Sequence, residues 1–159
     1  MRVTLIYVGL TSEKFYTEAC AEYEKRIGAF ADFKSICIKE EKIENETSRA
    51  QIEKALSLEE QRIKAAIPKN SLIVTLCIEG KSLSSEGVAK LIEDNASKGV
   101  SSIVFVIGSS HGISTALKAS SAYKLSMSAM TFPHMLARVM LTEQIYRAFT
   151  IINGKNYHK

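Results

Sequence analysis

Two stretches of this chain leave little choice of fold. Residues 71–78 read SLIVTLCI and residues 102–108 read SIVFVIG. Neither alternates polar with apolar residues, so neither suits a strand with one face in water. Short, β-branched, continuously apolar runs are typical of strands covered on both faces, the environment of a parallel sheet flanked by helices. A parallel sheet in turn demands a crossover between successive strands, and a helix is the usual one.

The rest of the chain supplies those crossovers. Residues 3–9 read as a first strand. Residues 12–27 read as a helix, with Thr11 or Ser12 placed to cap it and Phe15, Ala19, Tyr23 and Ile27 recurring every four positions. Residues 33–38 alternate as a second strand, and the polar run EEKIENETSR reads as a loop. Residues 50–67 form a charged helix that Pro68 stops. SSEGVAKLIEDNASKG is a helix capped by Ser84 or Ser85 and ended by Gly99. A short helix at 114–119, a strand at 123–127 and a long helix at 131–149 complete the order. The alternation predicts one α/β domain over residues 1–159, with a mainly parallel sheet and helices on both faces. No internal repeat or linker divides it.

Composition closes off other classes. At 46% hydrophobic residues, a chain of 159 can bury a core without disulfide or metal staples. No apolar run approaches the roughly 20 residues that span a bilayer, so no membrane partner is expected. The apolar residues after Arg2 read as a strand and not as a secretory signal. Cys20, Cys37 and Cys77 are widely spaced and form no metal motif, so the expected site has no metal and the expected compartment is the reducing cytoplasm. Charge is unevenly placed. Residues 1–70 carry 12 basic and 12 acidic side chains, whereas residues 95–159 carry seven basic side chains and one acid, Glu143. A one-sided basic segment fits a polyanion partner, and equally a solubility device with no partner.

Ligands of open α/β sheets bind beyond the carboxyl ends of the strands, and three strand ends here carry suggestive residues. After the first apolar run comes IEGKSLSSEG, whose serines suit helix capping or an anion at a helix start. After the second comes GSSHG, where Gly108 and Gly112 allow either a plain turn or close approach of backbone to a ligand. It is neither a dinucleotide fingerprint nor a phosphate loop. The third is LSMSAMTFPHMLARVMLTEQIYRAF, residues 125–149, in which Thr131 is a plausible cap and His134, Arg138 and Thr142 share a helix face. The remaining positions of that helix are apolar nearly all round, which places it centrally in the core or against another chain. The second option implies a dimer with Arg138 near the interface.

The segments TLCIEGKSLSSEG, FVIGSSHG, LSMSAMTFPHMLARVMLTEQIYRAF and the terminal NYHK, with VGL, Y and EYEKRI near the start, resemble the RlmH family of SPOUT-class methyltransferases along the whole chain. The resemblance implies a C-terminal trefoil knot and a homodimer. It implies S-adenosylmethionine as cofactor, held at Leu76, Gly108, Met127, Ser128, Ala129, Met130, Thr131 and Phe132. It implies methylation of the N3 atom of a pseudouridine in the 23S RNA of the large ribosomal subunit, within the assembled ribosome. Candidates to take the N3 proton or to stabilise the anion are His134, Arg138, Tyr157 and His158. Lys118, Lys124, Lys155 and Lys159 are candidates for RNA phosphates. Relatives carry a second glycine where this chain has Ser109, a position where a positive φ would strain a serine. His111 is not read as catalytic. The alternatives are a non-catalytic knotted factor that binds RNA or ribosomes, and a methyltransferase of the same class acting on transfer RNA.

Overall fold

The expected alternation is present. In a computed structural model, which describes residues 1–155, the elements are β1 (Arg2–Val8), α1 (Lys14–Ile27), β2 (Asp32–Ile38), α2 (Arg49–Ala66) and β3 (Leu72–Ser82). They continue with α3 (Ser85–Ser97), β4 (Ser102–Ile107), α4 (Thr115–Ser120), β5 (Tyr123–Ser126) and α5 (His134–Ile152). The five strands form one parallel sheet in the order β2-β1-β4-β3-β5. The carboxyl ends of β4, β3 and β5 therefore lie side by side.

Strand alternation sorts the apolar side chains to two faces. Val3, Leu5 and Tyr7 of β1 join Ile103, Phe105 and Ile107 of β4 in a core with Ile27, Val88, Ile92, Leu141 and Ile145, from α1, α3 and α5. Ile6, Val8, Val104 and Val106 point the other way and meet Ile63 of α2 and Leu117 of α4. All six residues of β4 are buried. Each such side chain contributes about 1.5–3 kcal/mol of burial, so the central strands anchor everything at their ends.

The apolar helix α5 is used inside the chain. It packs against both α1 and α3, burying Met135, Leu141, Ile145, Ala148 and Phe149. It starts later than the sequence pattern predicts. Pro133 occupies the N-cap with no side-chain cap bond, so Thr131 is not the cap. Proline disfavours helical backbone in the residue before it, which keeps Phe132 and its predecessors out of the helix. Likewise α1 starts after Glu13, and Thr11 Oγ1 accepts from the Glu13 amide in the turn before it. Ser84, by contrast, caps α3 by accepting from the Gly87 amide.

β3 runs four residues beyond its apolar stretch. Its ladder with β5 jumps in register, so that Leu125 faces both Leu76 and Lys81, and Ser82 faces Ser126. Residues that read locally as a turn thus belong to a strand, held there by a partner more than forty positions away in sequence.

Candidate active site

The three carboxyl ends enclose a cavity of about 350 Å3, within the roughly 300–1,000 Å3 typical of small-molecule sites. One wall is the loop after β4. A Cβ on Gly108 would lie 2.0 Å from the Gly112 carbonyl oxygen, so no side chain fits there. Gly112 closes the turn at φ 86°, and its amide donates to the Ser109 carbonyl at 2.9 Å. Ser109 itself is not strained. Asn70 is the sole non-glycine residue with positive φ among the described residues. The Ser109 hydroxyl donates to Glu59 Oε2 at 3.0 Å, and both residues are buried. Glu59 Oε1 accepts from the Glu41 amide at 2.9 Å. Burial pushes the Glu59 carboxyl above its ordinary range, and the two hydrogen bonds oppose that shift.

A second wall is the segment between β5 and α5. Ser126 Oγ donates to the Ser128 carbonyl at 3.0 Å, and Ser128 Oγ accepts from the Met130 amide at 3.0 Å. The chain then runs through Thr131 and Phe132 to His134 and Ala137, which also line the cavity. The third wall is β3, through Leu76, Cys77, Ile78 and Glu79. Lys118 reaches from α4 to Glu79 Oε1 at 2.5 Å. That hydrogen bond holds the Glu79 carboxyl below its usual range, while burial pushes the Cys77 thiol up.

Of the residues singled out for a cofactor, Leu76, Gly108, Met127, Ser128, Met130, Thr131 and Phe132 line this cavity together. Ala129 is exposed and is not among the lining residues. His134 lines the cavity too. Its Nε2 lies 3.3 Å from the position a Cβ on Gly9 would take, and Glu40 Oε2 lies 3.2 Å from the same point. Arg138, one turn further on, is not a lining residue. It is buried, its guanidinium 3.8 Å above the Tyr7 ring and 3.1 Å from Glu24 Oε1. Its Nε has no hydrogen-bond partner among the described residues. Its charge, expected from the sequence near an interface, is answered by Glu24 on α1 of the same chain.

Two of the basic candidates, Lys118 and Lys124, act on the Cys77 thiol of the β3 wall. Lys118 lines the cavity, paired with Glu79. Lys124 is exposed on β5. Lys155 follows α5 and lies 4.7 Å from the Phe30 ring. Tyr157, His158 and Lys159 lie outside the described residues. Sequence reasoning missed Glu59 and Glu40, because both sit in charged stretches that resemble solvated surface. It also missed Glu79 as the partner of Lys118. Among the described residues no three His, Cys, Asp or Glu side chains gather as a metal site, and no helix is long and apolar enough to cross a membrane.

A family model described as "Predicted SPOUT methyltransferase" matches residues 1–158. The chain belongs to the SPOUT methyltransferase family. Its fold has solved counterparts with little sequence likeness. A probable methyltransferase from Bordetella pertussis Tohama I superposes with a TM-score of 0.60 at 15% identity, covering 93% of this chain and 96% of that one. A probable methylase family protein from Haemophilus influenzae Rd KW20 superposes with a TM-score of 0.56 at 16% identity, covering 99% of this chain and 70% of that one. For a SPOUT methyltransferase the cavity at the three strand ends is the natural candidate for the active site, because the glycine loop and the segment before α5 are the parts whose backbone a ligand can reach.

Proposed function

We propose that this SPOUT methyltransferase is a knotted homodimer that methylates N3 of a pseudouridine in large-subunit ribosomal RNA, using S-adenosylmethionine and acting on the assembled ribosome in the cytoplasm. Support for the substrate comes from the likeness of the TFPH, EQIYRA and YH segments to the RlmH family. The fit of the cofactor is supported by the cavity itself. Its walls combine apolar side chains (Leu76, Met127, Phe132) with the close backbone at Gly108 and the hydroxyls of Ser128 and Thr131. That donor set suits an adenosine with a charged amino-acid arm. When bound, S-adenosylmethionine would supply a methyl group on a sulfonium, with the neutral thioether as leaving group.

The observation that carries the dimer reading is the length of α5. Its first residue, His134, lines the cavity, and Lys155 lies three positions beyond its last residue. Nineteen helical residues span about 28 Å at 1.5 Å each. That length leads us to assign Tyr157 and His158 of each chain to a partner's cavity. We assign to a second copy the groove of about 560 Å3 beside α5. It is lined by Leu83, Val88, Val139 and Met140, and it shares Ser126 and Met127 with the cavity.

In this arrangement the site is built from two chains. His134 and the partner's Tyr157 and His158 are the candidates to take the N3 proton, as a methyl carbon bonded to N3 would break its bond to sulfur. A protonated ring or a guanidinium offsets the charge that develops on the uracil. Arg138 takes that role only if released from Glu24. The protein's other tasks are to align donor and acceptor and to exclude water.

Methyl transfer from labelled S-adenosylmethionine to intact ribosomes, isolated subunits and naked RNA tests the reading. Label at N3 of a pseudouridine, strongest with intact ribosomes, is expected. Cofactor binding without transfer to any ribosomal substrate would point to a non-catalytic factor, and label on transfer RNA alone would move the substrate.

A further inference from the structure

The loop after β4 is gripped from outside the cavity. Its hydroxyls meet carboxylates of α2: Ser109 donates to Glu59 at 3.0 Å and Ser114 to Glu60 at 2.5 Å. Glu59 is 2% exposed. Its second oxygen takes the Glu41 amide, and Glu41 is held in turn by Arg62 at 2.6 Å, which also donates to the Lys39 carbonyl. One buried carboxylate thus ties three segments together: α2, the chain after β2, and the glycine loop.

Burying a carboxylate with no cation on it is costly, and an apolar residue would suit a plain helix–sheet contact better. Its two hydrogen bonds are both to groups whose positions define loops. Ser109 stands next to Gly108, where there is no room for a side chain, so a shift of Ser109 shifts the cavity wall.

We propose that Glu59 is a positioning residue for the cofactor: it holds the 108–112 loop, through Ser109, in the shape that S-adenosylmethionine binds. This rests on the cofactor assignment above. Glu59 itself touches neither cofactor nor substrate, so its loss acts on cofactor binding and leaves the methyl-transfer step alone. Glutamine is the informative replacement, since its oxygen can accept from the Glu41 amide while its amide donates to the Ser109 oxygen.

The test uses the full chain with Glu59→Ala, Glu59→Gln and Ser109→Ala. Hydrogen exchange of residues 108–113 is followed without ligand, and S-adenosylmethionine binding is followed by calorimetry. Glu59→Ala is expected to speed exchange in this loop, where the Gly112 amide is bonded to Ser109, and to weaken binding at least about ten-fold. Ser109→Ala, which removes one hydroxyl and keeps the core, gives a weaker version of both effects. Glu59→Gln restores both. KM for the cofactor rises with kcat within about two-fold of wild type. Unchanged loop exchange in both alanine variants overturns the clamp, as does an equal fall in kcat. Faster exchange in a chain whose wild type binds no S-adenosylmethionine leaves the clamp standing and removes the cofactor reading.

Discussion

The wall after β4 and the wall after β5 face each other across one cavity, and they are held by different means. The first is buried at its two ends, with Ser110 exposed between them, and is closed on itself. Gly108 and Ser109 are covered, the Gly112 amide bonds back to Ser109, and Glu59 secures the turn from behind. The second is open. Ala129 and Met130 are exposed, Met130 by 68%, and its internal bonds are the two made by Ser126 and Ser128. The first is shaped by packing before any ligand arrives. The second is shaped mainly by what it ends on, Pro133 and α5. A site built this way has one wall that dictates fit and one that adapts to it.

The largest test of that contrast is Gly108→Ala. The added methyl would sit 2.0 Å from the Gly112 carbonyl oxygen and 2.7 Å from Ile113, so the loop must move, costing about 3 kcal/mol or more. Urea unfolding should register that loss, and binding of the proposed S-adenosylmethionine should vanish. Gly112→Ala separates space from conformation. Nothing lies within 4 Å of its added Cβ, but φ is +86°, so the expected cost is the left-handed backbone alone, about 1–2 kcal/mol. Equal losses at the two positions would break the argument that packing shapes this wall.

A smaller effect comes from the charge of Glu59, since Glu59→Gln keeps both hydrogen bonds. The folded chain holds the Glu59 proton more tightly than the unfolded chain does. Stability from this group is therefore greatest when it is protonated, and it declines as pH rises through the window from the ordinary carboxylate value of about 4.3 to the raised folded value. Glu59→Gln should remove that decline, so its melting temperature gains on wild type between acid and neutral pH and then levels off. Parallel curves would mean that the carboxylate is not desolvated as the structure has it.

The smallest effect belongs to the open wall. Ser128→Ala removes the acceptor for the Met130 amide, and that amide can turn to water, so the expected loss is about 0.5–1 kcal/mol. A loss as large as that of Gly108→Ala would erase the distinction between the walls.

Much of this was legible in the chain. The apolar runs 71–78 and 102–108 marked β3 and β4, and their flanking glycines and serines marked where a ligand could sit. What escaped was set by distant partners. The last residues of β3 look like a turn until Leu125 and Ser126 are placed beside them. Glu59 sits in the sequence LEEQR, where a run of charge reads as solvated surface, and only the arrival of Ser109 fifty residues later explains its burial. Arg138 finds Glu24 across 114 positions. Thr131 looked like a cap because the local preference was right, but Pro133 moved the helix start past it. Local chemistry predicts elements, while pairings between far residues decide which charges are hidden.

β5 pairs with β3 alone, at the rim of the sheet, through four residues. The segment 127–132 hangs from that short ribbon. Fraying of the rim and dissolution of the binding pocket are then the same event, so occupancy and rim cohesion are thermodynamically linked. Whatever fills the cavity lowers the population of frayed molecules in proportion to its saturation, and the amides of β5 become a built-in gauge of ligand concentration.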